Sequence, residues 1–226
     1  MLISIIIPVY NEETTIRKVV ERVLETPYEK QILIVDDGSK DGTRRELEKL
    51  DAPGVEKYFH EVNRGKGSAI QTAWAQVKGD VVIIQDADTE YDPSDYGALL
   101  QPILDGKADV VFGSRFVGYP RRVLYFWHSL GNRLLTLLAN MLNDLNLSDM
   151  ETGYKVFTRQ VVDSVSIQSK RFGFEPEFTA RVAKKRFRIY EVPISYYGRG
   201  YKEGKKITWR DGFAALFWIF RYRFFD

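Results

Sequence analysis

Near the start of the chain almost every position from Ile3 to Val9 is apolar, and similar runs recur at Ile32-Leu33-Ile34-Val35, Val81-Val82-Ile83-Ile84 and Val110-Val111-Phe112, with a weaker one from Val55 to His60. A strand with one wet face alternates apolar and polar residues. These runs do not, so both faces are covered, as in a parallel sheet flanked by helices. Helical patterns fill the intervals Glu12 to Glu25, Gly42 to Leu50, Lys66 to Val77 and Pro93 to Leu104. The last carries a start signal, with Asp92 as N-cap, Pro93 at the first helical position and Asp95 two further on. Regular strand–helix alternation predicts a doubly wound α/β sheet whose ligands bind at the carboxyl ends of the strands.

The second half has a different pattern. Val123 to Leu147 is long and apolar but carries His128, Arg133 and several asparagines, which argues against a membrane span. Met150 to Thr158 is expected to return as a strand, Pro176 to Lys185 as a helix and Arg188 to Ile194 as an edge strand. Trp209 to Phe225 reads as a helix rich in Phe and Trp, with Arg210, Arg221 and Arg223. No uninterrupted apolar stretch reaches about 18 residues, so no transmembrane helix is expected. The opening run has no basic segment before it and no small-residue cleavage site after it, so it reads as a strand rather than a signal peptide.

Composition narrows the chemistry. The 226 residues suffice for one sizeable core, and a formal charge of +2 is too small to argue for a nucleic-acid partner. With no cysteine, a thiol nucleophile, a disulfide framework and a Cys-ligated zinc site are excluded; this fits a reducing compartment. Only His60 and His128 are present, so a metal would have to be a hard cation held by carboxylates.

Carboxylates gather where strands end. Asn11-Glu12 follows the first strand, Asp36-Asp37-Gly38-Ser39 the second, and Asp86-Ala87-Asp88-Thr89-Glu90 the strand at 81–84. Any one of them reads equally well as helix capping. Three at one sheet edge repel each other unless a cation or polar ligand compensates them. A divalent cation at Asp86 and Asp88, with Glu90 as a third oxygen ligand, would offset the charge on a leaving diphosphate. Asn63-Arg64-Gly65-Lys66-Gly67-Ser68 places two glycines and basic neighbours at a helix N-terminus, which suits anion binding. Neither a Walker A loop nor Gly-x-Gly-x-x-Gly is present, which argues against an NTPase and a nicotinamide dehydrogenase.

In this order, Pro8-Val9-Tyr10-Asn11-Glu12, Asp36-Asp37-Gly38-Ser39, Asn63-Arg64-Gly65-Lys66-Gly67 and Asp86-Ala87-Asp88 resemble the family 2 inverting glycosyltransferases. Gly113-Ser114-Arg115, Asp149-Met150-Glu151-Thr152-Gly153-Tyr154-Lys155, Phe172-Gly173-Phe174-Glu175-Pro176-Glu177 and Glu191-Val192-Pro193-Ile194 resemble its dolichyl- and polyprenyl-phosphate sugar synthase branch. The resemblance implies a GT-A fold, Rossmann-like with a mostly parallel sheet, ending here in an amphipathic helix. It implies one glycosyltransferase domain over 1–226, with residues 1–115 binding the nucleotide sugar and 116–226 the acceptor.

It further implies a metal-dependent hexosyltransferase using Mg²⁺ or Mn²⁺ and a UDP- or GDP-sugar. Pro8, Tyr10, Glu12, Val35 and Asp37 would line the nucleoside pocket. Asp86 and Ala87 would touch the nucleotide, with Lys66 beside it, and Asp88 and Glu90 would hold the metal. Arg115 would sit by the transferring sugar or the acceptor phosphate, and Arg199 and Lys205 would close over the diphosphate. The basic loop reads Arg199-Gly200-Tyr201-Lys202-Glu203-Gly204-Lys205-Lys206 where such synthases usually carry Arg and then Gly-x-Ser-Lys. Arg121 or Arg122 would replace the basic residue that they often place before the equivalent of Ser129.

The acceptor stays open between two chemistries. A phosphate is already anionic and needs cations, for which Arg115, Arg121, Arg122 and Arg133 are candidates. A sugar hydroxyl in a lipid-linked or surface polysaccharide needs a base, with Glu175 the candidate and Glu177 and Asp149 behind it. Glu177 could instead fix backbone or pair with Arg181, and Glu175 could serve only its helix dipole. The aromatic C-terminal helix suits either a bilayer surface at the cytoplasmic face or packing on the protein's own core or in a homodimer.

Overall fold

The computed structural model describes residues 1–118, 122–123, 125–171, 173–200 and 209–225, without the side chains of 209–211 and 213. Seven strands form one sheet in the order β3-β2-β1-β4-β6-β5-β7. They are β1 (Ile3–Val9), β2 (Lys30–Asp36), β3 (Val55–Phe59), β4 (Val81–Ile84), β5 (Val110–Ser114), β6 (Lys155–Thr158) and β7 (Ile189–Pro193). The helices are α1 (Ile16–Glu25), α2 (Thr43–Glu48), α3 (Lys66–Trp74), α4 (Tyr96–Leu104), α5 (Phe126–Asn143), α6 (Arg159–Ser164), α7 (Phe174–Lys184) and α8 (Trp209–Phe224).

The unalternating runs are buried on both faces. Ile3, Ile5 and Ile7 belong to one core layer and Ile6 to the other, as do Ile83 and Ile84. Asp92 caps as expected, accepting from Ser94 N at 3.0 Å, but it opens a 3₁₀ turn at Pro93–Asp95 that leads into α4. The first helix begins at Ile16 rather than Glu12. Asn11 takes a positive φ of 52°, and the Glu12 amide donates to Thr43 Oγ1 at 2.8 Å, so residues 11–15 are held as a turn.

Every pairing is parallel except those of β6, which runs antiparallel to both β4 and β5. In its register Lys155 lies opposite Ile84 and Phe112, near the carboxyl ends of those strands. A reversed strand therefore begins where its neighbours finish, and the turn before it (149–154) arrives at the edge that carries residues 85–91. Strand β7 is the edge strand that the sequence predicts.

Helix α5 buries only Thr136 and Ala139. Phe126, Trp127, Leu130, Leu134, Leu137 and Met141 remain exposed along it, so it is a surface element rather than core. Helix α8 packs against α5 and α7, burying Ala215, Ile219 and Tyr222 while leaving Phe217, Phe220 and Phe224 exposed. Among the described residues, no helix is long and apolar enough to cross a membrane.

Candidate active site

The loop after β4 meets the segment after β7 through a bridge between Tyr91 and Tyr196. That bridge brings Arg199 into the acidic edge. Its guanidinium lies 2.8 Å from Asp88, 3.3 Å from Glu90 and 3.3 Å from Glu12. Glu90 also accepts the Arg199 amide at 2.8 Å and the Tyr196 hydroxyl at 2.7 Å. One cation thus faces three carboxylates. Burial, and then the charges of Asp86 and Glu90, push Asp88 up to about 7 even though Arg199 opposes them.

A second cluster lies beside the first. Lys66, at the start of α3, bridges Asp86 at 2.8 Å and Glu175 at 2.9 Å. Burial opposes the Lys66 charge, but Asp86 and Glu175 outweigh it and hold the ammonium well above its usual range. Glu175 is pushed up by burial but more strongly down by Lys66 and Lys155, and ends below the usual carboxylate range. The loop before Lys66 is tied to Asp37, which accepts from Arg64 N at 3.0 Å, Gly65 N at 2.6 Å and His60 Nδ1 at 2.7 Å. Gly65 has φ 97°, and a Cβ there would collide with the backbone of Lys170 and Arg171. Asp37 is therefore a structural tie for that loop as well as a strand-end carboxylate.

The third group sits on the turn before β6. Arg115 grips Asp149 through Nε at 2.7 Å and Nη2 at 2.8 Å, a bidentate pair in which Asp149 is wholly buried. Asn132 donates to the same carboxylate at 3.1 Å. Glu191 fixes the turn from below, accepting from Ser148 N at 2.9 Å and Asp149 N at 3.1 Å. Arg115 also borders a cavity of about 310 Å³ lined by Arg122, Tyr125, Phe126, His128, Ser129 and Tyr196 among others. Among the described residues, Asp and Glu are absent from that lining.

The expected residues thus fall into three neighbouring groups. Pro8 and Tyr10 are half-buried, Val35 and Ala87 buried, and Glu12 is 9% exposed at the same edge. The oxygen set Asp86, Asp88 and Glu90 does not converge as a trio, because Asp86 turns to Lys66 while Asp88 and Glu90 turn to Arg199. Among the described residues, no three His, Asp or Glu side chains are gathered closely enough to hold a metal. The donor chemistry nevertheless fits a hard divalent cation, since Glu12, Asp88 and Glu90 offer only oxygen and outnumber the single guanidinium they share. Lys205 and Arg121 lie outside the described residues. Arg133 is exposed on α5 and absent from the cavity lining.

Glu177 is fully engaged, accepting from Gln168 N, Ser169 N and Arg181 Nε at 2.7–2.8 Å, and Asp149 is held by Arg115. Neither is placed as a base. Sequence reasoning missed Tyr196 and His60, whose only signal was an isolated aromatic or imidazole in a loop. It also gave Glu151 no role, although the motif containing it was noted.

The sequence model of glycosyl transferase family 2 matches residues 4–166, and the chain belongs to that family. It is 31% identical over 220 residues to an undecaprenyl-phosphate mannosyltransferase of Micrococcus luteus, covering 91% of this chain and 87% of the relative. It is 28% identical over 237 residues to a UDP-N-acetylglucosamine–dolichyl-phosphate N-acetylglucosaminyltransferase of Methanococcus voltae, covering 96% and 94%. Glycosyltransferase AglJ of Haloferax volcanii, 29% identical, is longer, and this chain spans 63% of it. The fold matches glucosyl-3-phosphoglycerate synthase of Mycobacterium tuberculosis, solved with Mn²⁺, UDP-glucose and phosphoglyceric acid, with a TM-score of 0.74 at 20% identity over 97% of this chain and 79% of that one.

Proposed function

We propose that this chain is an inverting glycosyltransferase that moves a hexose from a UDP- or GDP-sugar to a polyprenyl or dolichyl phosphate. The observation that carries the acceptor is the cavity beside Arg115, which offers Arg122 and His128 and, among the described residues, no carboxylate. An anionic nucleophile needs positioning cations and no base. Glu175, the base that a hydroxyl acceptor would require, is paired with Lys66 and held as a weak base below the usual range. The relatives that act on undecaprenyl and dolichyl phosphate support the same choice.

On the donor side Asp88 and Glu90, with Glu12 near, would hold Mg²⁺ or Mn²⁺, while Pro8, Tyr10, Val35 and Asp37 border the nucleoside. A bound divalent cation supplies counter-charge to the diphosphate as it leaves. Arg199, with Lys205 six positions further along the sequence, is suited to follow that charge onto the phosphates once the carboxylates have another partner. Arg115, locked by Asp149, faces the acceptor side as a fixed cation. The test is nucleotide release from a panel of UDP- and GDP-sugars with Mn²⁺, with and without polyprenyl phosphate. Stimulation by the lipid phosphate is expected, and full activity in excess chelator would remove the metal from the scheme. Glu175→Gln is expected to lower kcat by no more than about tenfold, below the 10²–10⁴ range of a lost general base. Loss of nearly all turnover would favour a sugar hydroxyl as acceptor.

The exposed apolar residues of α5 and α8, with Arg221 and Arg223, suit the surface of an anionic, cytoplasmic-side bilayer, and Phe126, His128, Ser129 and Asn132 near the start of α5 line the cavity. Trp127→Asp with Leu134→Asp is expected to cut co-sedimentation with anionic vesicles about tenfold or more, two apolar anchors being worth several kcal/mol together. An unchanged vesicle interaction accompanied by loss of a dimer in light scattering would assign the face to self-association.

Gly153 gives a further check on the donor site. A Cβ there would collide with Asp86 Oδ2, and the Gly153 amide already donates to Tyr91 Oη at 2.8 Å. Gly153→Ala is expected to displace Asp86 and lower kcat/KM by about 10²-fold, the usual result of a misplacement near 1 Å. Far-UV circular dichroism should stay unchanged.

A further inference from the structure

The turn before β6 is held from several sides. Lys155, itself fully buried, donates Nζ to the carbonyls of Met150 at 3.1 Å and Thr152 at 2.5 Å. Asp149 is taken by Arg115, and Gly153 presses against Asp86. Two side-chain oxygens in this fixed turn are nevertheless buried without a hydrogen-bond partner among the described residues, Glu151 Oε1 and Thr152 Oγ1. Leaving a buried acceptor without a partner is unfavourable, and a ligand hydroxyl would relieve that cost. Thr152 is sealed off entirely, whereas Glu151 is partly exposed as a residue although its unpaired Oε1 is buried, so it is the nearer of the two to the surface of the site.

The surroundings define what that ligand is. The charged groups that act on Glu151 are Glu175 and Asp149, which raise its carboxyl, and Lys155 and Arg115, which lower it. Each of these is already committed, Glu175 to Lys66, Arg115 to Asp149, and Lys155 to the turn's own carbonyls. An anion here would face three carboxyl groups, with Lys155 turned to the carbonyls of the turn and Arg115 bordering the acceptor cavity, so the site suits a neutral polyol. Burial, and then the Glu175 charge, push the Glu151 carboxyl up to about 7, so near neutrality it carries both a donor and an acceptor.

We infer that Glu151 is a specificity-determining residue that hydrogen-bonds a ring hydroxyl of the transferred hexose. The inference rests on the proposed nucleotide-sugar donor and adds which residue reads the sugar. A site built to bond one hydroxyl discriminates strongly against a sugar that lacks it or presents it in the other epimer.

The test compares wild type with Glu151→Gln and Glu151→Ala on UDP- and GDP-linked glucose, mannose, galactose and N-acetylglucosamine, and measures the affinity of free UDP and GDP with Mn²⁺. Both variants are expected to lower kcat/KM for the preferred donor by about 10–100-fold and to compress the preference among epimers to within about threefold. Affinity for the free nucleotide should stay within about twofold. Unchanged donor preference, or an equal loss for every donor and for the bare nucleotide, would overturn the inference. If the wild type transfers from no donor, the proposed function itself fails. The inference is then judged by calorimetry on the extra affinity of nucleotide sugar over nucleotide, and an increment unchanged in both variants rejects it.

Discussion

Asp88→Asn is expected to reduce sugar transfer by about 10³-fold in kcat, corresponding to about 4 kcal/mol of transition-state stabilisation, while leaving the protein folded. Asp88 is the carboxylate closest to the Arg199 guanidinium, at 2.8 Å, within a group of three that shares it. The fold does not need that negative charge, because burial and two neighbouring carboxylates oppose it. The carboxyl is held at about 7 against a reference value of 3.8, first by burial and then by Asp86 and Glu90. Between those two values the folded state keeps a proton that the unfolded state releases, so this group makes stability fall as pH rises. Above about 7 the penalty is fully present. Urea unfolding of the metal-free protein should therefore show a flatter decline from pH 4 to 7 in Asp88→Asn than in wild type, with no loss at pH 7. A lower urea midpoint at pH 7 would give Asp88 a structural role, and retained transfer at saturating Mn²⁺ would remove it from the site.

Asp149→Ala should do the opposite, damaging the fold first. Its carboxylate is wholly buried, bonded to Arg115 through two nitrogens and to Asn132, and its removal leaves the Arg115 guanidinium buried without a counter-charge. Breaking such a pair costs about 3–5 kcal/mol. The expected result is a large fall in the urea midpoint with little change in the slope. Arg115→Met combined with Asp149→Ala should recover part of that loss, because the stranded charge is gone. If the double variant is as unstable as the sum of the singles, the pair is not what holds the turn.

Much of the donor half was legible because it is local. Strands β1, β2 and β4 announce themselves as unalternating β-branched runs, and the carboxylates follow them within a few residues. Helix boundaries drifted where a side chain competed with the backbone, as when the Glu12 amide was taken by Thr43 and α1 began four residues later. The direction of β6 was not legible. Lys-Val-Phe-Thr reads the same in either sense, and its placement between β4 and β5 depends on pairings about 40 to 75 residues away in sequence. For the same reason the partners of site residues were hidden. Lys66 meets Glu175 across 109 positions and Arg199 meets Asp88 across 111, distances over which no spacing rule applies. Glu151 escaped notice because its evidence is an absent hydrogen bond, which only the fold can reveal.

The reversed strand also limits how this protein can be divided. Residues 1–115 look like a self-contained nucleotide-binding unit, yet β6 from the second half lies between β4 and β5 of the first, bonded to both. Cut there, the first half would expose Val81-Val82-Ile83-Ile84, four apolar residues that are almost wholly buried in the intact sheet, as an open edge. Such an edge recruits strands from other chains, so the isolated half would aggregate. Chimeras that exchange acceptor halves between relatives must carry β6 across with its own neighbours, because the junction is a layer of the sheet rather than a linker.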